Sequence, residues 1–144
     1  MKLNLPITNL ADIKKLIPHR EPIIMVDGLL DFQDGIAQTT LKILESNIFV
    51  NHGFFTENGM IEHMAQSVAL YTGFKNHNLN APPKEGFIAS IKFFKLEQLP
   101  LVGKTITTKV HLTYESEQIS MVNFTSYGDN TVLATAEMST VLKQ

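Results

Sequence analysis

The sequence contains no cysteine and no tryptophan, and its only arginine is Arg20. The missing cysteine excludes disulfides, thiolate nucleophiles and cysteine-ligated zinc. With one arginine and a formal net charge of −2, general nucleic-acid binding is not expected. No apolar run approaches the roughly 18 residues of a membrane span. No signal-peptide pattern opens the chain, so a cytoplasmic location is expected. Repeats, low-complexity tracts and linkers are also missing. The five histidines form no HExxH or comparable spacing, which argues against a metal site, and no cofactor is called for.

What is present reads as one globular domain of 144 residues, 44% hydrophobic and 18% charged. A chain of this length buries roughly 68–70% of its unfolded surface. Charge is uneven. Residues 84–109 hold five lysines and two glutamates, a balance of +3, against −5 elsewhere. That segment is either a solvated strand face or a patch for an acidic partner.

Asn9 can cap a helix carrying Leu10, Ile13 and Ile17 on one face, with Pro18 as its stop. Residues 22–31 and 36–44 read as two strands joined at Asp34-Gly35. The one long helix is predicted at 58–74. Met60, Met64, Val68 and Tyr71 form one stripe on it, and Ile61, Ala65, Ala69 and Thr72 form the next, wider than a surface helix needs. Residues 78–86 read as a loop. Four strands follow: 87–94, 106–114, 119–127 and 132–142, the last two joined by a tight turn at Gly128-Asp129-Asn130. One buried helix against a mostly antiparallel sheet is an α+β architecture.

Glu62 is out of place in so apolar a helix, because an unpaired buried charge is costly. His52 lies just before that helix, and imidazole with a partly desolvated carboxyl makes a general base and general acid. Burial is expected to favour the acid form of Glu62. Glu57 is a rival carboxylate, better explained by the helix dipole. His63 lies about 100° round the helix from Glu62 and reads as structural or as part of a dimer face. His19 reads as a local hydrogen-bonding residue, and His77 and His111 as exposed.

Four blocks carry a resemblance. Leu16-Ile17-Pro18-His19-Arg20-Glu21-Pro22 through Val26-Asp27 resembles the LPHR-x-P-x-x-x-VD opening of bacterial 3-hydroxyacyl-(acyl carrier protein) dehydratases. Phe49-Val50-Asn51-His52 resembles their F-x-G-H segment, Glu62-His63-Met64-Ala65-Gln66 their E-x-MAQ helix, and Phe87 to Lys104 their following strand and turn. The order agrees over nearly the whole chain. The glutamate comes ten residues after His52 instead of the family's fourteen. This short-loop form resembles the dehydratases of aryl-polyene and flexirubin-type pigment pathways.

The resemblance implies a hot-dog fold over residues 1–144, with a central helix wrapped by a curved antiparallel sheet. It implies dehydration of a 3-hydroxyacyl thioester on acyl carrier protein, in fatty-acid-like or polyene biosynthesis. His52 would be the base and Glu62 the acid, brought together from two subunits of a homodimer, with trimers of dimers in some members. Gly59, at the helix start, would offer a free N–H to the thioester oxygen. Gln66 would bond Glu62 or a site water. Arg20, Lys92 and Lys95 would contact the acidic carrier or its phosphopantetheine. Ile88, Ile91, Phe93, Phe94 and Met60 are candidates for an acyl tunnel or for plain core. A non-catalytic acyl-thioester-binding module and a thioesterase are the alternatives within the same fold.

Overall fold

The computed structural model describes residues 3–77 and 82–143. The chain begins with a one-turn helix, α1 (Leu10–Ile13), capped by the Asn9 side chain on the Ala11 N–H at 2.8 Å. The helix ends well before Pro18, the expected stop, for a local reason. A continued helix would need an N–H at position 18 to satisfy the Lys14 carbonyl, and proline has none. Arg20 supplies the donor instead: its Nη2 reaches the Lys14 carbonyl at 3.1 Å, and its Nη1 reaches those of Ile17 (2.9 Å) and His19 (2.7 Å).

Strands β1 (Gly28–Gln33) and β2 (Ile36–Lys42) form a hairpin whose turn holds Gly35 at φ +85°. The strand expected over 22–31 therefore starts six residues late. Residues 22–27 instead form a strap laid on the long helix, whose side chains take the Met25 N–H and the Ile23 and Met25 carbonyls; only at Asp27 does the strap reach β2, donating its N–H to the Thr40 carbonyl at 2.9 Å. Asp27 ends the strap, accepting from the Thr40 hydroxyl (2.8 Å) and the Lys42 N–H (2.7 Å).

A small hairpin, β3 (Val50–Asn51) and β4 (Phe54–Phe55), follows. It was not legible in the sequence. Its two turn residues, His52 and Gly53, have φ of +52° and +83°, the backbone of a type I′ turn. Helix α2 (Glu57–Lys75) comes next, matching the long helix read at 58–74.

The loop expected at 78–86 lies partly outside the described residues; 82–85 carry no regular structure. Then come β5 (Gly86–Leu96), β6 (Thr105–Glu115), β7 (Ile119–Gly128) and β8 (Thr131–Leu142). The turn read at 128–130 is present, with Asp129 and Asn130 at φ of +51° and +64° between paired Gly128 and Thr131.

Six strands form one antiparallel sheet in the order β1-β2-β6-β7-β8-β5, and α2 lies against it. Met60, Met64, Val68 and Tyr71, the first predicted stripe, are all buried, among Ile106, Val110, Val122, Phe124 and Ala136 of the sheet. The core also takes Ile13, Leu16 and Ile17. There the chain before Pro18 meets α2 backbone to backbone: a Cβ on Gly73 would stand 1.9 Å from the Leu16 carbonyl oxygen.

Among the described residues, strand β5 pairs on one side only, with β8. Its side chains Phe87, Ile91 and Phe93 are 48%, 43% and 45% exposed. Bare strand edges with large apolar side chains are normally covered in native proteins.

Candidate active site

The geometry around Glu62 begins in the core. His63, fully buried, accepts no water, so both ring nitrogens need protein partners. Nδ1 lies 2.7 Å from the Met25 carbonyl and Nε2 lies 2.8 Å from the Thr108 hydroxyl. A carbonyl only accepts, so Nδ1 carries the proton and Nε2 accepts from Thr108. Thr108 must in turn accept from Ser126, 2.7 Å away. Burial holds the His63 pKa down to about 4, against the pull of the Met25 carbonyl and Asp27. His63 is therefore a neutral structural residue of the core; it is not part of an exposed face.

Gln66, one turn on, has no freedom either. Its Oε1 accepts from the Met25 N–H at 2.6 Å, which fixes the amide orientation. Its Nε2 then donates to the Ile23 carbonyl at 2.8 Å and to Glu62 Oε2 at 2.7 Å. The expected Gln66–Glu62 bond is present. Two separated sequence blocks thus meet: the strap at 23–25 is fastened by His63 and Gln66, and the amide that fastens it also aims Glu62. Ser67 adds a buried bond to Thr39 of β2 at 2.7 Å.

Glu62 is half-buried and borders a cleft of about 810 Å³ between α2 and the β5 end of the sheet. The α2 wall is Ala65, Val68, Ala69 and Thr72, three of them from the second predicted stripe. Phe87 and Ile88 of β5 and Val141 and Leu142 of β8 face it. From Glu62 to Asn76 the cleft follows about 21 Å of helix axis. Lys75 marks its far end, bonded to Asp34 (3.1 Å) and Glu115 (3.0 Å). Of the tunnel candidates, Ile88 lines the cleft, Phe94 packs on the core and Met60 lies inside it, while Ile91 and Phe93 face outward.

His19 also lines the cleft, a placement the sequence reading missed. Its local hydrogen bond is made by the backbone, the carbonyl accepting from Arg20 at 2.7 Å, while the side-chain Nδ1 is enclosed without a partner among the described residues. Burial lowers the His19 pKa, opposed by the charges of Glu62 and Glu85 and aided by Arg20. Only tertiary contact brings His19 and Glu62 together, and no periodicity reports that.

His52 is exposed at the tip of the β3–β4 turn and does not line the cleft of its own chain. Its backbone is nevertheless fixed. The Gly53 carbonyl accepts from Val102 (3.0 Å), and Phe55 N–H donates to Pro100 (2.9 Å). Glu57 is exposed in the first turn of α2, where the dipole favours it. His111 is exposed and His77 is half-buried, contrary to the exposure expected of it.

Two expected binding residues are placed differently. The Gly59 N–H is not free: it donates to the capping Thr56 hydroxyl at 3.4 Å. The missing side chain makes room for protein, since a Cβ would stand 2.6 Å from the Phe55 ring and 2.7 Å from Phe49 Cβ. Arg20 spends its guanidinium on three backbone carbonyls. Lys92 and Lys95 remain outward, 74% and 71% exposed, in surface pairs with Glu137 (3.3 Å) and Glu97 (3.4 Å). Among the described residues no cluster could hold a metal ion.

A model of the ApeP-like dehydratase family, described as ApeP dehydratase, matches residues 11–144. Over 140 residues the sequence is 26% identical to the 3-hydroxyacyl-[acyl-carrier-protein] dehydratase FabZ of Aliivibrio fischeri, covering 90% of each chain. The FabZ of Colwellia psychrerythraea is 30% identical over 127 residues, covering 84% of this chain and 81% of that one. In three dimensions the fold is similar to that of the dehydratase heterocomplex ApeI:P from Xenorhabdus doucetiae. The TM-score is 0.87 at 16% identity, over 99% of this chain and 93% of that one. A Streptococcus mutans protein bound to acetyl CoA gives 0.62 at 11% identity, over 80% and 86%. At these identities the structural likenesses establish the fold, the hot-dog arrangement of helix and wrapping sheet.

Proposed function

The chain belongs to the ApeP-like dehydratase family, and from that premise we propose that it removes water from a 3-hydroxyacyl thioester borne by acyl carrier protein, leaving the trans-2-enoyl thioester. The observation that carries this reading is Glu62, aimed by a buried amide into a long cleft that Ala65, Val68, Ala69 and Ile88 line together with polar side chains. Hydroxide is a poor leaving group, so the β-oxygen needs a proton as its bond to carbon breaks. Glu62 supplies it, and a histidine takes the proton from the α-carbon. Water leaves, the double bond forms between the α- and β-carbons, and the imidazolium proton returns to the carboxylate to reset the pair.

The base is His52 of a second subunit. His52 is exposed and lies outside its own cleft, while the cleft opens beside the unpaired β5 edge. A second copy joined along β5 covers Phe87, Ile91 and Phe93 and closes the cleft. The acidic carrier is received by Lys92 and Lys95, whose exposed ion pairs are weak and easily exchanged. Arg20 holds the fold and is left out of that contact.

The test follows enoyl absorbance with 3-hydroxyacyl thioesters of several chain lengths. Glu62→Gln and His52→Asn are each expected to lower the rate about 10³-fold. An equimolar mixture, unfolded and refolded together, regains about a quarter of the wild-type rate, because half the dimers then carry one intact site. No recovery would place both residues in one chain. Release of free thiol without enoyl product would make the protein a thioesterase, and absence of both products would make it a binding module.

A further inference from the structure

The far end of the cleft, away from Glu62, is floored by one row of the sheet. Glu115 of β6 pairs with Ser120 of β7, Ser120 with Thr140 of β8, and Thr140 with Ile88 of β5. All four line the cleft. Glu115 also accepts from Tyr71 (3.2 Å) and Lys75 (3.0 Å) of α2, which fixes the level of the row along the helix. Those two residues stand nine and thirteen positions beyond Glu62, about 14 and 20 Å of helix axis. An extended chain advances about 1.2 Å per bond, so an acyl tail meets the row about 11–16 bonds past its β-carbon.

The lining changes character at this level. Ala65, Val68 and Ala69 wall the cleft nearer Glu62. At the far end stand Thr72, Ser120 and Thr140, whose hydroxyls make no hydrogen bond among the described residues and are not sealed from solvent. Such hydroxyls are left to water. A blind pocket for the end of an alkyl tail is walled by apolar side chains instead. Nor does the hollow stop at the row. A second depression of about 600 Å³ shares Ser116, Glu117, Gln118, Val141 and Leu142 with the cleft and adds Ile119. It carries the opening across the β6–β7 turn, whose residues 116–118 are exposed.

We propose that the cleft is open at this end and that Ser120 and Thr140 are specificity-determining residues: their short side chains form a low sill over which an acyl tail longer than the cleft passes out across the β6–β7 turn. This rests on the dehydratase reading above and deepens it, since the substrates of the site are then 3-hydroxyacyl thioesters with no upper limit of chain length. Up to the row each added methylene is buried. Past it each lies against wet side chains, so affinity stops rising but does not collapse.

Carrier-borne 3-hydroxyacyl thioesters of about 8, 14 and 22 carbons bracket the row. In the wild type kcat/KM is expected to rise by up to about fourfold per methylene until the row is reached, then to level off. Thr140→Phe and Ser120→Phe raise the sill with a side chain that suits a strand. Each is expected to lower kcat/KM for the longest substrate about tenfold or more. The shortest should stay within about twofold of wild type, which also shows that the variant is folded. Thr140→Ser keeps the sill low and leaves the whole profile unchanged. A wild-type rate that collapses for the longest substrate means a closed end and overturns the proposal, while the dehydratase reading stands. A profile that both phenylalanine variants leave unchanged does the same. Should a variant lose the shortest substrate as well, the wild-type profile decides alone. No enoyl product at any length overturns the dehydratase reading and the proposal with it.

Discussion

At the residue scale, His52 occupies a backbone conformation that suits asparagine or glycine better than histidine. Its φ of +52° places it in the left-handed region, at the first central position of a type I′ turn. A residue held in such a place at some cost points to function. His52→Asn should therefore leave thermal stability within about 0.5 kcal/mol of wild type, or raise it, while dehydration collapses. A melting curve and a rate on the same sample check this. The proposed roles of His52 and Glu62 are readable in the sequence because each stands in a local motif. His19 stood in a motif as well, yet its place in the cleft was hidden, since an unpartnered nitrogen is a property of the folded surroundings. Gly59 was misread for the opposite reason: a glycine at a helix start fits substrate approach and protein packing equally well until the Phe55 ring is seen against it.

At the scale of elements, α2 was readable because two apolar stripes persist over more than three turns. Strands β3 and β4, two residues each, carry no periodicity to read. The start of β1 was misplaced because Ile23, Ile24, Met25 and Val26 have strand-like side chains, while the backbone of Ile23 and Met25 is claimed by Gln66 and His63 some 40 residues away. The first turn of α2 gives a test of its own. Gly59→Ala drives a methyl into Phe55 and Phe49, and overpacking of this kind costs about 1–3 kcal/mol. Urea unfolding should show that loss. Pairing it with a truncated Phe55 should recover part of the stability, which a purely catalytic role for Gly59 would not produce.

For the whole molecule, the order of sheet and helix was visible in the pattern, but the polar thread through the core was not. Ser126, Thr108, His63 and Met25 form a chain of hydrogen bonds that runs in one direction, and it requires a neutral His63. The folded pKa of about 4 lies below the ordinary 6.5, so between these values the unfolded chain binds the extra proton. Stability is then full above pH 6.5 and falls as the pH drops toward 4, by about 3 kcal/mol from this group. Denaturant midpoints measured across that window should show the fall. They should flatten in His63→Gln, which starts less stable but has no proton to gain there.

Gly73 gives the site an unexpected tolerance requirement. The chain that presents His19 is seated on α2 with no clearance, because the Leu16 carbonyl occupies the place where a side chain at position 73 would begin. In mechanical terms Gly73 is a datum surface, and the reach of His19 into the cleft is measured from it. The placement of His19 therefore depends on an atom that is not there, eleven residues along the helix from Glu62. A methyl group on Gly73 would lift the seated segment bodily and carry His19 with it from its place in the cleft wall.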